Sequence, residues 1–188
     1  MNKEIIEELK AANTFAEAFP NENLRRVILH LTNAIKTIDG KIEIKFKKVN
    51  RKAIIPHKAY PTDACFDLVA TSIYYDESNR CYVYGTGLAM EIPEGFVGHI
   101  YPRSSNRKTD CYMANHVGVI DCHYRGEVMV SFKDVNTEST VSETNAPYKV
   151  GDRIAQICFD KVIETEFVEV EQLSDTDRGE GGHGSTGK

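Results

Sequence analysis

The chain has 188 residues and sets 28 acidic side chains against 23 lysines and arginines, for a formal charge of −5. That length suits one domain with a core of its own plus an appendage, and the negative balance argues against non-specific nucleic-acid binding. No stretch is apolar for long enough to span a membrane, and Met1-Asn-Lys-Glu4 does not open a secretory signal, so a soluble, cytoplasmic protein is expected.

Residues 3–19 place Ile5, Leu9, Ala12, Ala16 and Phe19 at helical spacing before Pro20 stops the run. A second helical pattern carries Leu24, Val27, Ile28, Leu31, Ala34, Ile35 and Ile38 on one side. Asn21 or Asn23 can cap its start and Gly40 its end. The spacing predicts a helical hairpin over residues 1–40 whose apolar face needs a partner. That partner is its own domain, a neighbouring subunit or another protein.

From Lys41 the period changes to two. Ile42, Ile44 and Phe46 alternate with charged residues, as in a half-exposed strand. The basic run Lys41–Lys52 reads as a solvated strand face; nucleic-acid binding through it would require salt-sensitive association. Short strand-like runs follow at Cys81–Tyr84, Gly87–Ile92, Val97–Tyr101, Val128–Lys133 and Ile154–Phe159. Pro93-Glu-Gly95, Tyr124-Arg-Gly126 and Val150-Gly-Asp152 punctuate them. Many short strands without βαβ alternation predict an all-β barrel or jelly roll. Cys65, Cys81, Cys111, Cys122 and Cys158 form an odd, scattered set without a CxxC pair, which fits reduced thiols better than disulfides or zinc.

Five segments carry chemistry. In Ala59–Ala70, Asp63 and Asp67 are carboxylates among apolar neighbours. Beside phosphates they could hold a cation; otherwise they are a turn and a strand-end Asp. In Tyr101-Pro-Arg-Ser-Ser-Asn-Arg107, the fork of Arg103 and the hydroxyls of Ser104 and Ser105 suit phosphate oxygens. Asn115–Val128 reads as a β-hairpin with Asp121 near its bend. Asp121 is the best general-base candidate, and Tyr124 could form a flat wall for a sugar. Gly151-Asp-Arg-Ile-Ala-Gln156 offers Gln156 to a phosphate, with Arg153 bracing the turn. Arg178-Gly-Glu-Gly-Gly-His-Gly-Ser-Thr-Gly-Lys188 is too glycine-rich to hold a fold unaided, yet its N–H groups can cradle a polyphosphate that Arg178 pairs with.

In this order the segments resemble the five motifs of the trimeric dUTPase family: Ala-Cys-Phe-Asp-Leu, Pro-Arg-Ser-Ser, Gly-Val-Ile-Asp-Cys-His-Tyr-Arg-Gly-Glu, Gly-Asp-Arg-Ile-Ala-Gln and the Gly-rich tail. The resemblance covers about residues 41–188. It implies a dUTPase-like jelly roll or distorted β-barrel over 41–177, a flexible phosphate-binding tail over 178–188, and a homotrimer whose active sites are shared between subunits. The implied substrate is dUTP and the implied cofactor Mg²⁺. By resemblance, Asp67 holds water ligands of the Mg²⁺; Arg103, Ser104, Ser105 and Gln156 position phosphates; and Asp121 contacts the sugar and activates the attacking water. Asn115, Gly118, Val119 and Ile120 read uracil, and Tyr124 excludes a ribose 2′-hydroxyl. Arg178, Gly184, Ser185 and Thr186 close over the outer phosphates while His183 covers the base. Cys65 stands where the family usually has glycine, His123 where a small or acidic residue is common, and His183 where Phe is usual. The same fold serves dCTP deaminases, whose catalytic Glu falls near Ser131 here. A regulatory module engaging a protein through the N-terminal hairpin is the other alternative.

Overall fold

The computed structural model describes residues 41–135 and 145–182, together with Ala11, Thr14, Asn21, Glu22, Arg26, Val27, Ile28 and Leu31. Of the N-terminal residues described, all but Asn21 are helical. The expected pairing of two helices into a hairpin lies outside the described residues. Among those described, no helix is long and apolar enough to cross a membrane.

The β domain contains β1 (Lys45–Lys48), β2 (Phe66–Val69), β3 (Ser72–Asp76), β4 (Cys81–Glu91), β5 (Phe96–Pro102), β6 (Cys111–Met113), β7 (Gly118–Ile120), β8 (Glu127–Asp134) and β9 (Arg153–Lys161). A 3-10 turn over Ser104–Lys108 follows β5. One sheet runs β1-β4-β8-β6 with β3 also paired to β4, and the other runs β2-β9-β5-β7. Every pairing is antiparallel. Tyr82, Tyr84, Val128, Val130 and Phe132 from the first sheet and Leu68, Ile100, Ile154 and Ile157 from the second form one buried cluster. One face of each sheet therefore turns inward, most plainly on β8, where Val128, Val130 and Phe132 alternate with less buried neighbours.

Two sequence expectations need correction. Cys81–Tyr84 and Gly87–Ile92 are not separate strands: both fall in β4, which ends at Glu91, one residue short of the end of the second run. Opposite β8 the register moves from Gly85↔Met129 to Ala89↔Glu127, so extra residues bulge out of β4. Gly87 takes φ +70° in the bulge, and a Cβ there would lie 2.7 Å from that of Asn50. A glycine that resembles a turn signal instead serves a bulge within a strand. Nor is Asn115–Val128 a hairpin. β7 pairs with β5, while β8 pairs with β4 and β6, so Asp121–Gly126 crosses from one sheet to the other. Alternation along a strand says nothing about its partner. The turns at Pro93–Gly95 and Val150–Asp152 are present, with Gly95 at φ +81° and Gly151 at φ +96°.

Tyr84 fastens the segment leading into β9. Its hydroxyl donates to the Tyr148 carbonyl at 3.0 Å and accepts from the Tyr148 N–H at 3.0 Å. The two rings meet edge-on at 6.1 Å, and burial pushes the Tyr84 phenol well above its ordinary pKa. Tyr84→Phe would keep the ring but leave two backbone groups without their partner. The expected loss is about 1–3 kcal/mol of unfolding free energy, read from urea denaturation at unchanged m-value.

Candidate active site

Three adjacent strands set the centre of the site. Asp67 on β2 faces Gln156 on β9, which in turn faces Tyr101 on β5. β5 ends at Pro102, and Arg103 caps the 3-10 turn with extended backbone, φ −80° and ψ 156°. Its guanidinium turns back over the sheet: Nε donates to Asp67 Oδ1 at 2.7 Å and a terminal nitrogen donates to Ser105 Oγ at 3.2 Å. Arg153 donates to the other Asp67 oxygen at 3.0 Å, and Gln156 Nε2 donates to the Pro102 carbonyl at 3.1 Å. Asp67 is thus clamped between two guanidinium groups, with its side chain only 11% exposed. Ser104, the first residue of the 3-10 turn, is exposed. Asp63 is a turn residue, accepting from the Tyr60 N–H at 2.9 Å.

The contact from Arg153 is the one sequence reasoning missed. Arg153 and Gln156 are three apart and would point to opposite faces of a regular strand. The β2–β9 register shifts between Leu68↔Ala155 and Val69↔Arg153, leaving Ile154 unpaired and fully buried. That bulge returns Arg153 to the side of Gln156. The Gly-Asp immediately ahead of it was the available signal. A brace beneath the turn was also invisible: Tyr148 Oη donates to Asn106 Oδ1 at 3.0 Å, and Asn106 donates to the Cys111 carbonyl at 3.0 Å.

A second group of residues lies at the far end of the same sheet. Gly118, Val119 and Ile120 form β7, the edge strand, so alternate N–H and C=O groups face away from β5. A Cβ on Gly118 would press to 3.1 Å from that of Ile100, so β7 needs glycine to approach β5. Asn115 precedes this strand and is exposed; Asp121 follows it, exposed, in a turn closed by the Tyr124 N–H on the Asp121 carbonyl at 3.0 Å. The Tyr124 hydroxyl donates to the Glu127 carbonyl at 3.0 Å. Its ring lies over Gly126, where a Cβ would overlap it.

The two groups do not meet within one chain. Asp67 is level with Tyr101, whereas Asp121 follows Ile120, which is level with Gly98. Three strand spacings of ~4.8 Å and four residues of ~3.3 Å put the Cα atoms of Asp67 and Asp121 roughly 20 Å apart. The third group is farther from the core. Among the described residues, Val162 makes the last backbone bond to the domain, donating to the Gly95 carbonyl at 2.8 Å. Residues 163–175 then run without helix or strand, with Phe167 100% and Leu173 86% exposed. Arg178 sits in a tight turn, its Nε donating to the Gly181 carbonyl at 2.7 Å. His183, Gly184, Ser185 and Thr186 lie outside the described residues.

Nucleophilic thiol chemistry has little support. Burial pushes the Cys111 thiol up to about 11 and raises that of Cys81. Burial, then the neighbouring Asp160 carboxylate, takes Cys158 up to about 12. None of these three is an activated thiolate.

The dUTPase family model matches residues 51–187, which contain the first four segments and the tail through Gly187. The chain belongs to the dUTPase family. It is 38% identical to the deoxyuridine 5′-triphosphate nucleotidohydrolase of Corynebacterium glutamicum over 146 residues, covering 77% of this chain and 95% of that protein. The corresponding protein of Nautilia profundicola is 37% identical over 150 residues and is covered in full. Among solved structures, the Staphylococcus bacteriophage 80alpha dUTPase with dUpNHpp superposes with a TM-score of 0.64 at 27% identity. That match covers 79% of this chain and 100% of the phage chain. Asp67, Arg103, Asp121, Gln156 and Arg178 of this dUTPase-family chain all lie inside the matched region, whereas residues 1–50 lie outside it.

Proposed function

We propose that this protein hydrolyses dUTP to dUMP and pyrophosphate, limiting uracil incorporation into DNA and supplying dUMP for dTMP synthesis. The observation that carries the reading is the family match across residues 51–187. Ser131, near where the deaminase branch would carry its Glu, lies within β8 opposite Val83 and offers no carboxylate.

Asp121 takes the proton of a water attacking the α-phosphorus in line with the bridging oxygen, which leaves with pyrophosphate. Arg103, Ser104, Ser105 and Gln156 hold the phosphates, and the Asp67 clamp fixes the Arg103 fork before substrate arrives. Two lone pairs on each carboxylate oxygen leave Asp67 able to accept from water as well as from the guanidinium groups, so its hard oxygens suit Mg²⁺. Held through water by Asp67, a triphosphate-bound Mg²⁺ would neutralise charge on the phosphates. The outward edge of β7 at Gly118–Ile120, with Asn115, reads the uracil edge, and Tyr124 blocks a ribose 2′-hydroxyl. His183 covers the base, while Arg178, Gly184, Ser185 and Thr186 close over the outer phosphates and exclude bulk water.

The same reading assigns residues 1–40 to a helical extension, 41–177 to a jelly roll and 178–188 to the closing tail. It makes the working unit a homotrimer with shared sites. The ~20 Å between Asp67 and Asp121 supports sharing, because a carboxylate activating water at the α-phosphorus must lie within hydrogen-bonding reach of it. The bare apolar side chains of residues 163–173 support an arm that crosses to another subunit.

The test is incubation of the full chain with Mg²⁺ and each of dUTP, dTTP, dCTP and UTP, with products separated by chromatography. The expected result is dUMP and pyrophosphate from dUTP, with kcat/KM at least ~10³-fold above the other three. Ammonia from dCTP would move the chain to deamination. No turnover of dUTP would overturn the reading.

A further inference from the structure

The outer face of the β2-β9-β5 sheet carries a second row of chemistry-bearing side chains beside the one that builds the phosphate site. His99 on β5 is paired directly with Cys158 on β9. Continuing the β2–β9 register one residue past Phe66↔Ile157 sets Cys65 opposite Cys158, on the same face of the sheet. Asp160, two residues along β9, reaches back over the row. Its Oδ2 lies 2.7 Å from His99 Nδ1 and 3.5 Å from Cys158 Sγ. The ligand atoms of His99, Cys158 and Asp160 all lie within 4.8 Å of one another, and the three are partly buried, partly buried and exposed in turn.

We propose that Cys65, Cys158, His99 and Asp160 form a binding site for a thiophilic divalent cation of the Zn²⁺ class. Two sulfurs, one imidazole nitrogen and one carboxylate oxygen make a four-donor set that favours zinc over Mg²⁺, which takes oxygen ligands. Tetrahedral bonds of 2.0–2.3 Å set neighbouring ligand atoms roughly 3.6 Å apart, so small rotamer adjustments close the spacing of His99, Cys158 and Asp160, and Cys65 turns in from the neighbouring strand end as the fourth donor. Cross-strand neighbours supply the spacing because their Cβ atoms stand ~4.5–5.5 Å apart. The thiol protons leave as the metal binds. The sequence hides this site, since Cys65, His99 and Cys158 lie far apart along the chain and share no spacing motif.

The metal would act as a staple. Cys65 sits immediately before β2, which carries Asp67; β9 carries Cys158 and Gln156, and β5 carries His99 and leads into Arg103. Each ligand strand therefore also positions a group of the phosphate site, and one ion ties all three together. Cysteine in place of the family's usual glycine at position 65 supplies a ligand that glycine cannot.

The experiment uses the full chain, stripped with chelator under a phosphine reductant, in excess Mg²⁺ to occupy oxygen-donor sites. Zn²⁺ is titrated against a chromophoric chelator, and Co²⁺ serves as the spectroscopic probe. The expected result is one ion per chain, a thiolate-to-cobalt charge-transfer band with intense tetrahedral visible bands, and a rise in Tm of several degrees on adding Zn²⁺. Cys65→Ser, Cys158→Ser, His99→Gln and Asp160→Asn should each raise Kd by more than ~100-fold at unaltered stoichiometry of folded chain. Should a Cys158→Ser chain fail to fold, His99→Gln gives the same reading from an unrelated strand. Zinc affinity equal to that of the Cys65→Ser/Cys158→Ser double variant would overturn the proposal, as would a cobalt spectrum without the thiolate band. So would a Cys65–Cys158 disulfide without zinc in protein purified without reductant. None of these readouts depends on dUTP turnover.

Discussion

Asp121→Asn is expected to lower kcat for dUTP by about 10³-fold while leaving the fold and substrate affinity nearly unchanged. The amide keeps the size and one hydrogen-bond acceptor of the carboxylate but cannot take a proton from water. Asp121 is exposed in a loop between the two sheets and outside the buried cluster, so stability should move by less than ~0.5 kcal/mol. The more searching form of the experiment mixes two inactive chains. Asp121→Asn retains Arg103 and its Asp67 clamp; Arg103→Ala retains Asp121. Because the two groups stand roughly 20 Å apart within one chain, the shared site proposed above draws them from different chains. Unfolding and refolding the two variants together at equal amounts should then restore about a quarter of wild-type activity, the chance that neighbouring chains contribute the two intact halves in the required order. Activity no higher than the sum of the separate variants, in mixed assemblies verified by mass spectrometry, would sink the shared site.

Removal of residues 178–188 is expected to reduce kcat by about 10²–10³-fold, again with the fold intact. The lost groups are Arg178 and a run of glycine N–H donors, which matter most once charge has built on the departing pyrophosphate. The described part of this tail bonds only within its own turn, Arg178 to Gly181 and Gly179 to Thr176. A change in Tm of less than ~2 °C therefore accompanies the kinetic loss. Residues 163–177, drawn out at ~3.3–3.6 Å per residue, reach ~50 Å, ample for a site on another chain. A truncated chain that turns over dUTP at the wild-type rate would show that the tail is a passenger.

The chemical groups were more legible in the sequence than their arrangement. Arg103, Asp121 and Gln156 announce themselves by residue type and by turn-forming neighbours, which is local information. Pro93-Glu-Gly95 and Val150-Gly-Asp152 were readable as turns for the same reason. Strand partnership is not local. β7 and β8 look like the two arms of a hairpin, yet β7 joins the sheet of β5 and β8 that of β4. β4 reads as two strands because Gly85 and Gly87 interrupt it, while its residues through Met90 are all buried and carry no alternation to decode. The Arg153–Asp67 contact depends on the bulge at Ile154, and the His99–Cys158–Asp160 grouping on register between strands some sixty residues apart. Such features follow from which strands meet, and that is settled by the whole core.

The separation of Asp67 from Asp121 also bears on what a defective copy of the gene does. In a trimer whose sites each need Asp121 from one chain alone, a variant lacking that carboxylate silences one site and leaves its neighbours working. Activity in a cell holding both copies then falls in proportion to the variant's share rather than with its cube. A chain broken in all three contributing groups is no worse per site, but it spoils up to three sites at once. With sites shared as proposed, a solitary chain would be not a slow enzyme but an incomplete one, and dilution below the assembly constant would abolish turnover instead of merely scaling it.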